Sequence, residues 1–400
     1  MIMDVLFYVT IYAFLFVSVF WLLVFAFKKE EMKRETQSKE RPGLTILVPA
    51  FNMKDHIKRC LKSLLNQDYP NLRILVVDDG SKDTTLSVVE NMASKHENID
   101  YITQENKGKA AALNSGLRHV KTELFGFLDA DSHLSKNTLK HMVGNIQGNT
   151  VSCIAAIKPY KAKTITSKIQ KIEYMITSLT RKLMHFLGAV HYTPAFAIYK
   201  TSVIKKLGGF DENNLTEDLE IGLRLQDNGY NIATSLKGFV YTVVPETFKD
   251  LMKQRIRWYR GNINNIIKYK HMLLNKRFGH LGLFVLPVQY LLLALSTPIL
   301  LSGVINAVAK GMQAITNVFL VNFDISYMFS KTHLSLSSNT LFWGLLVFSF
   351  LIMMRLSRIN IKENVSKLEY VFYIALYPFI NVILWITAVL YEVVGAEKKW

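Results

Sequence analysis

Two apolar runs in this chain stop at pairs of carboxylates, and a third acidic cluster opens a helical pattern. "VVDDGS" ends in Asp78 and Asp79, "FGFLDADS" ends in Asp129 and Asp131, and "LTEDLE" holds Glu217, Asp218 and Glu220. Asp129 and Asp131 stand one residue apart, so their charges repel unless a cation or a donor compensates them. A hard divalent cation, Mg2+ or Mn2+, accepts oxygen ligands of this kind and takes the rest of its shell from water and substrate phosphates. Downstream, "QRIRW" sets Gln254, Arg257 and Trp258 at i, i+3 and i+4. One helical face then presents an amide, a guanidinium and an indole. Arginine there pairs with phosphate, and tryptophan stacks on the apolar face of a sugar ring.

Each piece alone also has a plain structural explanation. Asp129 and Asp131 read as solvated loop residues capping the next helix. Asn214 as N-cap with Glu217 three residues on makes a capping box, and first-turn acids suit the helix dipole. That accounts for Glu217 and leaves Asp218 and Glu220 without a specific task.

The surrounding pattern predicts how these groups are positioned. "LTILVPAF", "LRILVVDDGS" and "ELFGFLDAD" are short apolar strand patterns, whereas "HIKRCLKSLL" and "KAAALNSGLRHV" have helical spacing or propensity. Ser81 or Asp83 is a candidate cap for the helix after "VVDDGS". Strands alternating with helices imply an α/β domain with a mostly parallel sheet and helices on both faces. Ligands bind such sheets at the C-terminal strand ends, where Asn52, Asp78, Asp79, Asp129 and Asp131 all fall.

The ends of the chain belong to a different solvent. Residues 5–27 carry no charge and are long enough to cross a bilayer as a helix. The start "MIMD" lacks a positive charge, and no small-residue cleavage site follows, so a retained anchor is expected rather than a signal peptide. Residues 281–308, 341–354 and 370–394 are three further spans, giving four, and residues 316–329 form an additional interfacial or re-entrant candidate. The flank "KKEEMKR" predicts a cytosolic domain by the positive-inside rule, and residues 355–367 fall on the same side if four helices cross. Lys398 and Lys399 then sit outside, against that rule.

The expected division is therefore an anchor at 1–28, a cytosolic domain at 29–248, a basic interfacial stretch at 249–280 and membrane helices at 281–400. The net charge of +17 is concentrated next to the second span, with nine Lys or Arg and one acid between Lys249 and Arg277. Interleaved with apolar residues, such a cluster suits an anionic membrane surface rather than nucleic acid. Cys60 and Cys153 lie in the cytosolic part, so no disulfide is expected.

In order, "VPAFN", "VVDDGS", "NKGKAAALN", "LDADS", "LTEDLE" and "QRIRW" resemble the inverting, membrane-embedded family 2 glycosyltransferases. That group includes cellulose, chitin, hyaluronan and poly-N-acetylglucosamine synthases. "SKIQKIEY" and "VPETFKDLMKQRIRW" are most similar to the last branch. The resemblance covers about residues 43–265 and implies a GT-A-type fold inserted between transmembrane and interfacial helices. It implies that Asp79 contacts the uracil or ribose of a UDP-sugar with Lys109 beside it. Asp129 then approaches the ribose and diphosphate, Asp131 ligates the metal with Asp129, and Asp218 is the general base. Gln254, Arg257 and Trp258 close the site over the diphosphate and acceptor. The implied reaction extends a β-linked polysaccharide from UDP-N-acetylglucosamine or UDP-glucose, and the alternative is a single transfer to a lipid or polyprenyl phosphate.

Two departures bear on the site. Met53 stands where the first motif often carries an acid, with Asp55 nearby, and "HYTPAF" replaces a common Ser-Gly step in the acceptor segment. Other classes fit less well. A transporter needs ionisable residues inside its membrane helices, and these segments hold almost none. An oligonucleotide would be repelled by the acidic strand ends.

Overall fold

The computed structural model describes residues 2–34, 41–320 and 338–396. The chain opens with α1 (Ile2–Lys33) and then alternates. In order come β1 (Leu44–Ala50), α2 (Ile57–Leu65), β2 (Leu72–Asp78), α3 (Thr85–Ala93), β3 (Ile99–Thr103), α4 (Lys109–His119), β4 (Leu124–Leu128), β5 (His133–Leu134) and α5 (Thr138–Val143). There follow β6 (Thr150–Pro159), α6 (Ile165–Phe186), β7 (Phe196–Lys200), α7 (Thr201–Lys206), α8 (Glu217–Asp227), β8 (Asn231–Thr242) and α9 (Phe248–Lys268). Short turns lead into α10 (Leu286–Leu320), and α11 (Ser338–Ile361) and α12 (Lys367–Val393) complete the described chain.

The strands form one sheet in the order β3-β2-β1-β4-β7-β6-β8-β5. The first four are parallel, as the alternating pattern predicts. The second half is mixed: β7 runs antiparallel to both β4 and β6, β8 is parallel to β6, and β5 is antiparallel to β8. Pro49 lies in the central strand β1, where a missing N–H would normally break the ladder. Pairing with β4 ends at Leu47, so Pro49 keeps only its β2 neighbour and costs the sheet little.

Helices cover both faces. Leu44, Ile46 and Val48 of β1 face α2 through Ile57, Cys60, Leu61 and Leu64, while Leu47 faces α4 through Leu113 and Leu117. Side-chain alternation along the strand sends these sets to opposite sides. A third cluster joins α6 to the apolar helices: Ile172, Met175 and Leu179 pack with Phe25, Met353, Met354 and Tyr373. This joint fixes the α/β domain against α1, α11 and α12.

Four helices among the described residues are long and apolar enough to cross a membrane: Val5–Lys33, Leu281–Gly303, Gly344–Ile361 and Lys367–Val393. The loop expected over 355–367 is shorter than the charges suggest, because α11 continues to Ile361 with Arg355 and Arg358 inside it. The remaining turn and the end of α1 both rest on the domain. Lys158 Nζ donates to the Lys362 carbonyl at 3.0 Å, Lys171 Nζ to that of Asn364 at 2.8 Å, and Lys237 Nζ to that of Lys33 at 3.3 Å. Of the stretch 316–329, Thr316 to Leu320 continue α10; the rest, like Lys398 and Lys399, lies outside the described residues.

Candidate active site

Because β1, β2 and β4 run parallel, their C-terminal ends open on one edge of the sheet. Asp129 and Asp131 leave β4 there, and their backbone is pinned. Ser132 N donates to the Asp129 carbonyl at 2.9 Å, and Arg59 to that of Asp131 at 3.4 Å. Ser132 Oγ donates to Asp131 Oδ1 at 2.8 Å. Burial and then the neighbouring Asp129 charge raise the Asp131 carboxyl above its ordinary range.

Lys109, the first residue of α4, reaches into the same place. Its Nζ lies 2.7 Å from Asp129 Oδ1 and 2.9 Å from Glu217 Oε1. Burial alone would lower this ammonium, but the two carboxylates more than offset that and hold it charged. Glu217 is buried; its desolvation is outweighed by Lys109, which leaves the carboxyl below its usual range. Next to it, Asp218 has the opposite balance. Burial and then the Glu217 charge push Asp218 up to about 6, against weaker pulls from Lys109 and Arg257. Two adjacent acids with separated titrations mark a group poised for proton transfer near neutral pH.

The backbone around Asp218 is held from outside its own helix. Thr193 N and Oγ1 both donate to the Asp218 carbonyl, at 3.0 and 2.9 Å, and Tyr199 OH donates to Thr193 Oγ1 at 2.8 Å. The "HYTPAF" segment that departs from the family pattern therefore seats the candidate base. Gly222 of α8 packs so tightly on it that a Cβ would stand 2.4 Å from the His191 carbonyl oxygen.

The capping-box expectation is corrected here. Helix α8 begins after Thr216, and Asn214 lies two residues further out. Asn214 Oδ1 accepts from Thr216 N at 3.0 Å, and its Nδ2 donates to Asn265 Oδ1 on α9 at 2.8 Å. Glu217 turns to Lys109 instead of back to the cap. A partner 108 positions away leaves no local signal, which is why spacing alone assigned Glu217 to helix termination. Similarly, Thr84 rather than Ser81 or Asp83 precedes α3, although Asp83 Oδ1 accepts from Thr85 N at 2.9 Å.

Asp79 stands somewhat apart. Its carboxylate accepts from Gln104 Nε2 at 2.8 Å, Lys107 N at 3.0 Å and Gly108 N at 2.8 Å. It orders the loop that delivers Lys109, with Gly108 at φ +89° as the turn into α4. Lys109 itself points to Asp129 and Glu217 rather than to Asp79. Among the described residues the neighbouring Asp78 is buried, and its Oδ1 lacks a hydrogen-bond partner.

From α9, Arg257 NH1 donates to the Leu215 carbonyl at 3.2 Å, beside the base. Gln254 is partly buried with Oε1 unpartnered. Trp258 packs on the core, and the Arg255 guanidinium covers one face of its ring at 4.0 Å, leaving only the other for a ligand. Among the described residues, no three acidic, His or Cys side chains gather as a closed metal site. Two half-buried oxygen donors at a cleft do fit a hard cation that keeps waters and takes phosphate ligands.

A mixed α/β sheet with carboxylates at its strand ends, flanked by helices and joined to apolar ones at both ends of the chain, defines a GT-A-type fold. Its architecture is similar to a mannosyltransferase (PcManGT) from Pyrobaculum calidifontis in complex with GDP-Man and Mn2+. The TM-score is 0.62 at 18% identity, over 97% of this chain and 99% of that one. Residues 45–208 match the model of glycosyl transferase family 2. The chain is also 28% identical over 261 residues to poly-beta-1,6-N-acetyl-D-glucosamine synthase of Staphylococcus epidermidis. It is 29% identical over 258 residues to the Staphylococcus aureus protein of the same name. Each match spans 62% of this chain and 63% of the relative.

Proposed function

We propose that this chain is an inverting transferase that moves a sugar from a UDP-sugar onto a growing β-linked polysaccharide at the membrane, from a cytosolic domain. The donor is UDP-N-acetylglucosamine or UDP-glucose. One observation supports this reading: Lys109 bridges Asp129 and Glu217, so an ammonium, a strand-end carboxylate and the neighbour of Asp218 share one cleft. The named synthases among its relatives and the Mn2+ and GDP-Man of its structural neighbour support the reaction class.

Asp218, with its carboxyl near 6, takes the proton of an acceptor hydroxyl as that oxygen attacks the anomeric carbon. Positioned acids and bases of this kind contribute roughly a hundred- to ten-thousand-fold. A divalent cation held by Asp129 and Asp131 supplies charge neutralisation to the diphosphate when bound. Arg257 and Lys109 are the cations that would stabilise the same developing charge. Asp78 Oδ1 suits an N–H of the base, while Asp79 acts through the Lys109 loop. Single displacement inverts an α-linked donor, so Asp218 needs no covalent intermediate.

Purified enzyme screened with nucleotide sugars for UDP release, followed by product digestion with linkage-specific hydrolases, tests the reaction. High-mass β-linked polymer is expected; one discrete glycolipid would replace polymerisation with transfer to a lipid acceptor. Calorimetry with and without Mn2+ tests the metal site: Asp131→Ala is expected to lose the Mn2+-dependent part of UDP binding. Unchanged Mn2+ dependence would remove Asp131 from the metal shell.

A further inference from the structure

The last apolar helix has the length and composition of a membrane span, yet both of its ends hold the same domain. At its start, Glu369 Oε2 lies 2.9 Å from Lys171 Nζ on α6. In its middle, Asn381 accepts from Tyr259 OH at 2.9 Å, and Trp385 meets the Tyr259 ring edge to face. At its end, Glu392 pairs with Arg260, whose NH2 also donates to the Ala396 carbonyl at 2.6 Å.

Arg260 is not at a distance from the catalytic domain. The next residue, Gly261, presses on Thr216, where a Cβ would come within 2.3 Å of Oγ1, and Thr216 directly precedes the helix of the candidate base. A helix of 27 residues is about 40 Å long. Crossing a hydrocarbon core of about 30 Å would carry Glu392 to the far side of the bilayer, away from Arg260.

The two faces of α12 agree with this. Tyr373, Leu384 and Ala388 are buried, and with Tyr377, Asn381, Trp385 and Glu392 they recur every three or four residues toward the domain; Val382 is also buried, on the opposite side. Val371, Phe379, Ile383 and Leu390 are exposed on the outer side. We propose that α12 does not cross the membrane: it lies in the bilayer plane across the domain, its outer face in the adjoining leaflet's lipid. The chain then crosses three times, through α1, α10 and α11, and its C-terminal end stays on the domain's side. Lys398 and Lys399 fall on that side too, which removes the conflict that four crossings create with the positive-inside rule. In-plane helices of this kind bury one apolar face at the headgroup boundary.

Sealed membrane vesicles holding the full chain test this with two markers: an epitope after Trp400 and a cysteine from Ser94→Cys, exposed on the domain. Protease digestion of the epitope and impermeant maleimide labelling of the cysteine are read in both vesicle orientations. Equal sidedness is expected in each orientation, whichever side the domain occupies, so the result does not depend on the proposed reaction. Opposite sidedness overturns the in-plane placement. A photoreactive residue replacing Ile383 should give lipid adducts; adducts to a second polypeptide would overturn lipid as the occupant of the outer face.

Discussion

Glu217 and Asp218 are adjacent acids with opposite environments. Glu217 is neutralised by Lys109 and stays ionised, whereas Asp218 is raised by burial and by Glu217 itself. As a base Asp218 works only when deprotonated, so turnover should fall as pH drops through about 6, and Asp218→Asn should remove that limb with the activity. The stability effect has the opposite sense. A folded-state pKa above the ordinary 3.8 means the native state holds this proton more tightly, so stability from this group is lost as pH rises from near 4 to about 6. Asp218→Asn should therefore be more stable than the parent at pH 7, by on the order of 3 kcal/mol, and lose that advantage near pH 4. A variant that melts earlier at pH 7 would contradict the electrostatic balance. Lys109→Met leaves the Glu217 carboxylate buried without its cation. It should lower the urea midpoint by roughly 1–3 kcal/mol of stability, and Lys109→Met/Glu217→Gln should regain part of that loss. A double variant no more stable than the single one would mean that Lys109 does not compensate Glu217.

Among the secondary-structure elements, α9 and α8 are registered by close packing rather than by the motif residues. Gly261 on Thr216 and the Asn214–Asn265 pair tie the "QRIRW" helix to the start of the base helix. Gly261→Ala should push the two apart, costing about 1–3 kcal/mol and lowering kcat more than it raises the donor KM. Thermal melts and steady-state kinetics on the same preparation check both parts, and unaltered kcat would show that this contact does not position the base. Local patterns were enough to read β1, β2, β4, α2 and α4, because each is a run of one periodicity closed by turn residues. The antiparallel insertion of β7 between β4 and β6 was not legible, since "FAIYK" carries no trace of its partners. Asp129, Asp131 and Asp218 were singled out by residue type and order, and Lys109 joins Asp129 to the neighbour of Asp218. Glu217 and Thr193 were missed because their tasks arise only from contacts across the fold, to Lys109 and to the Asp218 carbonyl. Hydropathy marked α12 as a candidate span, and its length and composition agree; its ion pairs to the domain at both ends were not legible.

Taken whole, the molecule joins the sheet to its apolar helices through α6, α9 and α12. Glu173 on α6 holds Arg255 at 2.6 Å, and Arg255 in turn covers Trp258, so the "QRIRW" helix is braced against α6. The central claim is that one cleft gathers a nucleotide-sugar and a proton acceptor. Its most direct test is UDP release from UDP-sugars by the full-length enzyme in membranes with Mn2+, measured for the parent and for Asp218→Asn alongside UDP affinity. The expected result is sugar-dependent turnover in the parent, loss of at least about a hundredfold in the variant, and UDP affinity nearly unchanged. Turnover retained by Asp218→Asn, or no UDP release from any UDP-sugar, would contradict it.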